Sequence, residues 1–481
     1  SQIAYGNADK YLRQNTYNIF VNDNYNVNTE LTINAGVRWE YGSPVSELKG
    51  RLVNLDVGQN YTTATPVTGK NPLLQPDYSR PEPQVGIAWR PISGSSLLIR
   101  SGYGVRNDTS VYQAAAYAMA QQAPLSTSLS IANGPSCAFN IASPFGANGC
   151  SSTTADTFAI DPNFRVGYVQ EWTLGLQRDL PFSMQMVATY DGIKGTRGVQ
   201  EFQPNTCPPT LSACNTYPHG YTYRTSNGNL TREAGTIQVR RRPRNGFEAG
   251  VTYTFAKSLD DDYSLSGQGG VSNTPGIAQD WTNLRGQRGL SNGDQRHLLQ
   301  VTAQYTTGLG IGGKSLLTGW RGAIYKDWSI HTDFSIGSGL PETPIYAGAT
   351  AGGSGTTGTI RPDAVGSPSA QLTPGYFLNP NAYAVPSAGF GNARRNSIEG
   401  PDTFSLNANM LRTFRLHSHY SLDAQLTASN VLNHEVYTSW DTDWVAPGTA
   451  TPGTTTIPSL FGKPVGTNSP RSVSVSLRMN F

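Results

Sequence analysis

The chain has 481 residues and a net charge of only +3 spread along its length, which excludes the basic patch a nucleic-acid partner would need. Charged residues are 14% of the chain, against about 25% in ordinary soluble domains, yet hydrophobic residues reach only 37%, too few for the rich core that so uncharged a soluble protein would show. Disorder is excluded by 24 Tyr, 16 Phe and 8 Trp, and no segment approaches the roughly 20 consecutive apolar residues of a membrane helix.

A transmembrane β-barrel accounts for this mixture: its wall needs apolar side chains only at every second position, its lumen is polar, and its aromatics gather at the two interfaces. In chain order, period-two alternation predicts strands at 15–28, 29–41, 82–90, 95–105, 166–180, 183–194, 232–243, 245–258, 295–308, 322–338, 402–415, 419–432 and 470–481. In 29–41, Leu31, Ile33, Ala35, Val37, Trp39 and Tyr41 share one face, and Phe247, Ala249, Val251, Tyr253 and Phe255 repeat the pattern in 245–258. The last segment is the clearest. Val473, Val475, Leu477, Met479 and Phe481 point one way, and Ser472, Ser474, Ser476, Arg478 and Asn480 point the other. Arg and Asn on one face cannot meet lipid, so that face must look into a lumen or solvent.

The connections alternate in length. Short ones fall near 28 and 417 and at 91–95, 181–182, 243–245 and 308–321; long ones run 42–81, 106–165, 195–231, 259–294, 339–401 and 433–469. The expected fold is therefore an all-β, transmembrane antiparallel barrel with short periplasmic turns and long extracellular loops. Thirteen strands are an odd number, whereas single-chain bacterial barrels have an even one, so at least one further strand is expected upstream, unless a long loop hides a miscounted strand. Residues 1–13 carry neither a basic start nor an apolar segment, so no export signal is present in the chain as given.

Chemistry-bearing residues are sparse. Cys137 with Cys150 and Cys207 with Cys214 form two local pairs in loop-like sequence, which suits disulfides of an oxidising compartment; unpaired or metal-binding thiols are the alternative. Asp260, Asp261 and Asp262, and Asp441 with Asp443, offer oxygens to calcium without the spacing of a defined site, so solvated loop acids are the simpler reading. His417 and His419 lack a third metal ligand. The sequence GLGIGG at 308–313 has no Lys-Ser/Thr to complete a phosphate-binding loop, and no helix is expected after it. Arg240, Arg241, Arg242 and Arg244 flank a short turn, facing water or lipid phosphates. No catalytic set can be assembled, so the chain reads as a non-enzyme without a resident cofactor. The long loops are the expected functional surface, with Tyr112, Tyr117, Phe139, Phe145, Tyr376, Phe377 and Tyr383 as candidate contact aromatics.

Several segments resemble the barrel of TonB-dependent receptors, in particular the Oar-like group. They are YNIFVNDNYNVNTELTINAGVRWEY at 17–41, PQVGIAWRPISGSSLLIRSGYGV at 83–105, VQEWTLGLQRDLP at 169–181, GVTYTFAKSLDD from Gly250 and GDQRHLLQVTAQY from Gly293. The terminal Phe481 is similar to the signal by which the barrel assembly machinery recognises its substrates. The resemblance implies a barrel of about 22 strands filled by an N-terminal plug, of which 1–481 would be a partial barrel domain lacking the plug and leader. It also implies a bacterial outer-membrane location, contact with outer-membrane lipid, and energised uptake of a ligand through TonB, reached only by way of the plug. A surface or adhesive protein whose loops bind other surface proteins, and a passive pore, are the alternatives.

Overall fold

The computed structural model describes residues 2–5, 9–78, 81–130, 153–154, 157–204, 220–261, 276–308, 319–348, 360–387, 390–415, 420–446 and 460–481. Its main feature is one sheet whose path takes thirteen strands in chain order. They are β1 (Thr16–Asn26), β2 (Leu31–Gly42), β3 (Glu82–Trp89), β4 (Leu98–Asn107), β5 (Tyr168–Leu180), β6 (Met184–Phe202) and β7 (Tyr221–Arg244). β8 (Phe247–Asp260), β9 (His297–Thr306), β10 (Ser329–Gly337), β11 (Thr403–Arg415), β12 (Ser421–Ser429) and β13 (Ser472–Asn480) complete it. Each pairs antiparallel with the next, and β1 and β13 stand at the two edges of the path. All thirteen expected strands are present.

Register puts the alternation into rows. Ala35, Val85, Tyr103 and Trp172 follow one another across β2 to β5, and Tyr190, Gly235 and Phe255 form another such row across β6 to β8. These side chains form the convex face, and many are bare: Ile19 is 67% exposed, Ile237 52%, Val475 71% and Leu477 67%. Apolar side chains at every second position, turned away from the protein, require an apolar solvent, and lipid supplies it. The opposite rows are polar: Thr236 bonds Thr254 at 3.2 Å, Gln238 reaches Thr252, and Asn480 donates to Asp423 at 3.0 Å. Among the described residues no helix is long and apolar enough to cross a membrane.

The turns at one end are tight. β7 and β8 are joined by Asn245 and Gly246, both with positive φ (55° and 76°), the backbone that matches a two-residue hairpin to strand twist. One short connection departs from expectation. A helix, α2 (Gly319–Tyr325), occupies part of the β9–β10 turn and delays β10 to Ser329, so a helix does follow the glycine-rich segment. Residues 309–318 lie outside the described residues.

At the other end, β6 and β7 run well beyond their expected limits, and the loops fold on themselves. In the first module, the hairpin Leu52–Val57/Ala64–Gly69 and the helix α1 (Val111–Ala120) pack Leu52, Tyr112, Ala116, Met119, Phe158 and Ile160 into one core. In the second, Tyr346, Leu378, Tyr383, Ile398, Trp444 and Phe461 form another.

Candidate functional site: a polar concave wall and folded loops

β1 to β7 line an open hollow of about 1060 Å³ on the polar side of the sheet. Charges of both signs line it. Arg38 pairs with Glu40 and lies 3.8 Å from Glu82, while Arg106 faces Glu171 at 4.0 Å. Glu82 also accepts from the backbone and side-chain nitrogens of Asn107, at 3.0 and 2.9 Å, so the upper end of β4 is tied to β3. Asn18, Asn22, Asn34 and Gln84 supply amides between the ion pairs, a surface able to bind a polar solute or a polar protein segment.

The loops above this wall are cross-braced by buried arginines. Arg395 is ion-paired with Asp260, bonds the Gln287 carbonyl at 3.0 Å and reaches Asn292 at 3.2 Å. Arg361 donates to the Ala393 carbonyl at 2.8 Å and to Gln287 at 3.0 Å. Buried charges persist only when so completely satisfied. These contacts tie segment 276–294 to segment 360–399. Asp261 is likewise engaged, by Arg288 at 3.1 Å and the Asn229 N–H at 3.1 Å. The candidate calcium carboxylates Asp260 and Asp261 thus have arginine counter-ions, and Asp262 lies outside the described residues. Asp441 accepts from the Asp443 N–H at 3.0 Å in a local turn; burial, then the charge of Asp441, pushes the Asp443 carboxyl above its ordinary range. Among the described residues no three His, Cys, Asp or Glu side chains converge as a metal-ligand set.

In the first module Glu47 is an anchor. Burial pushes its carboxyl up, but the N–H groups of Tyr11, Arg51 and Lys49 and the Arg51 guanidinium outweigh this and hold it down at about 2.

The candidate contact aromatics divide. Tyr112 and Tyr383 are core residues, 1% and 6% exposed. Tyr117 is 53% exposed on α1. Phe377 is 40% exposed and stacks on Trp440 at 4.3 Å, with Tyr437 edge-on at 5.4 Å; the Lys463 ammonium sits 4.9 Å over Tyr376. Tyr437 and Trp440 therefore complete an aromatic shelf that the sequence reading assigned only in part; the spacing of aromatics in YTSWDTDW was the available signal. Phe139, Phe145, the four cysteines, His417 and His419 lie outside the described residues. Arg240 and Arg242 are paired with Glu248 and Asp179, and Phe481 is 91% exposed at the end of the chain.

The family model described as "Outer membrane beta barrel domain" matches residues 1–474. No curated protein sequence matches the chain. Solved structures similar to it include the Pseudomonas aeruginosa FpvA receptor bound to a pyoverdine (10% identity, TM-score 0.45, covering 98% of this chain and 39% of that one). Others are the Escherichia coli ferric-catecholate import receptor Fiu (12%, 0.45, 98% and 45%) and the Escherichia coli outer-membrane transporter YddB (9%, 0.46, 98% and 54%). The chain thus spans about 39 to 54% of the length of these structures. With the apolar convex face, the polar lumen side and the alternation of turns and loops already in place, the match over 1–474 shows that the chain belongs to the outer membrane beta barrel domain family and resides in the bacterial outer membrane.

Proposed function

We propose that the chain is the barrel wall of a TonB-dependent outer-membrane transporter, the role implied by the Oar-like hairpins at 17–41, 83–105 and 169–181. The single observation that carries this beyond a generic barrel is the concave face: a broad polar surface studded with ion pairs, where a passive pore of few strands would need only a narrow lining. The thirteen-strand path with separate edges supports the same reading, because β1 and β13 run in the same direction and cannot seal antiparallel to one another. In this role the wall does no chemistry and needs no cofactor of its own. It would be inserted by the barrel assembly machinery through Phe481, and TonB would act through a plug domain. The cysteine pairs would be disulfides within the outer loops.

The test is conductance of the protein purified from outer membranes without proteolysis, in planar bilayers. A silent protein that binds the purified periplasmic domain of TonB is the expected result. A stable, ungated conductance with no TonB binding would replace the transporter with a passive pore. A surface-adhesive role is favoured by one observation, the exposed Phe377–Trp440 shelf on a well-packed loop module, and predicts neither conductance nor TonB binding.

A further inference from the structure

Beside the β9–β10 turn, β11 places a charge where the fold should forbid one. Leu406, Ala408, Met410, Arg412 and Phe414 share the lipid-facing side of β11, opposite Leu426 and Leu422 of β12. Arg412 is nevertheless only 7% exposed. Its guanidinium lies 4.3 Å from the Phe414 ring centre and 5.7 Å from that of Trp328, and it donates to the Ile324 carbonyl of α2. An arginine on the lipid row is thus caged by two aromatic faces and a helix end, each of which favours a cation.

The helix is fastened at the same point. Carbonyls of a last helical turn lack partners inside the helix. Here the Ile324 carbonyl also accepts from the Trp328 indole N–H at 2.9 Å, and the Tyr325 carbonyl accepts from the Thr307 hydroxyl at 2.6 Å. With its C-terminal end held by wall residues and Gly322 buried, α2 turns outward Trp320 (67% exposed), Ile324 (51%) and Tyr325 (58%). Arg321 lies beside them, its guanidinium 5.5 Å from the Trp320 ring centre. Trp320 with Ile324 and Arg321 with Tyr325 are four residues apart, so these side chains make one surface.

We propose that α2 is an interfacial foot, seated among the phospholipid headgroups of the periplasmic leaflet and moored to the wall by Arg412. The occupant is lipid because α2 adjoins the end of the wall's apolar band, where Ile330 pairs with Met410 and the next residues on that face, Trp328 and Arg412, hold the helix end. Trp and Tyr favour the level where hydrocarbon meets headgroups. Arg321 supplies the charge that complements phosphate.

The test uses the native protein reconstituted into phosphatidylethanolamine and phosphatidylglycerol vesicles whose chains carry bromine either near the headgroup or near the chain end. The difference in fluorescence between the parent and Trp320→Phe isolates the signal of this indole. Expected is quenching of that signal by about twofold with shallow bromine, less with deep bromine, and little by aqueous iodide. Quenching by iodide with no response to bromine would put α2 in water and overturn the proposal. Resistance to both quenchers would mean that a protein partner covers the helix and would overturn it equally. Arg412→Met, checked for folding by its heat-modifiable electrophoretic mobility, tests the mooring: loss of about half of the shallow quenching is expected. An unchanged value would remove Arg412 from the account.

Discussion

The wall and the loop modules bury their apolar side chains in opposite senses. On the wall, Val475, Leu477, Ile19 and Val21 are all more than 60% exposed to whatever surrounds the protein, whereas in the loops Trp444, Tyr112, Phe461 and Met119 are at 1% or less. The loops behave as soluble protein, excluding water by packing on themselves. The wall leaves that task to lipid and keeps its polar groups for the ladder and the lumen. One chain therefore obeys two solvents, and a substitution should be judged by the solvent its residue faces.

The largest expected effect is at the braces between loops. Arg395→Met leaves the Asp260 carboxylate buried without its counter-ion, costing about 3–5 kcal/mol of local stability. Limited proteolysis of the native protein should then cut the loop segments while the wall stays folded; simultaneous loss of heat-modifiable mobility would show that wall and loops are not separable. On the wall, Val475→Arg should cost about 2–4 kcal/mol if the position lies near the bilayer midplane, and its neighbour Ser476→Arg far less. Equilibrium urea unfolding from vesicles measures both, and equal costs would erase the distinction between the faces.

Acid should loosen the first module selectively. Because the folded Glu47 carboxyl titrates at about 2 rather than the ordinary 4.5, its stabilisation is fully present above about 4.5 and is lost as pH falls toward 2. Protection of the 45–52 amides against hydrogen exchange, corrected for the intrinsic rate at each pH, should fall across that window, and Glu47→Gln should flatten the response. The smallest effect is expected at Tyr117→Ala, within about 0.5 kcal/mol, because the side chain is exposed. A weakened ligand interaction at unchanged stability would make Tyr117 a contact residue.

What could be read from the sequence follows the same division. Every wall strand was legible because lipid on one side and water on the other write a period-two pattern into it. That signal fades where lipid ends: β7 was expected from 232 but starts at Tyr221, since the stretch YTYRTSNGN packs against loop elements instead, Tyr221 and Tyr223 lying in a core with Leu55 and Phe202. Helix α1 escaped notice although Val111, Tyr112, Ala115, Ala116, Met119 and Ala120 repeat with helical spacing, because it lies inside a segment read as loop. Helix α2, with seven residues, is too short for any period to declare itself. For the site, the aromatic types were legible but their fates were not. Tyr383 and Phe377 look alike in sequence, and only tertiary packing makes one a core residue and the other part of a surface shelf.

The length of β7 sets the stature of the molecule. Its 24 residues extend roughly 80 Å along the strand at about 3.4 Å each, whereas about 9–11 tilted residues suffice to traverse the hydrocarbon. Paired with β6 for most of that distance, it stands as a mast whose upper half clears the bilayer and carries the loop modules aloft. Large visitors to the cell surface therefore encounter the loops at a height, before they reach the lipid or the mouth of the barrel.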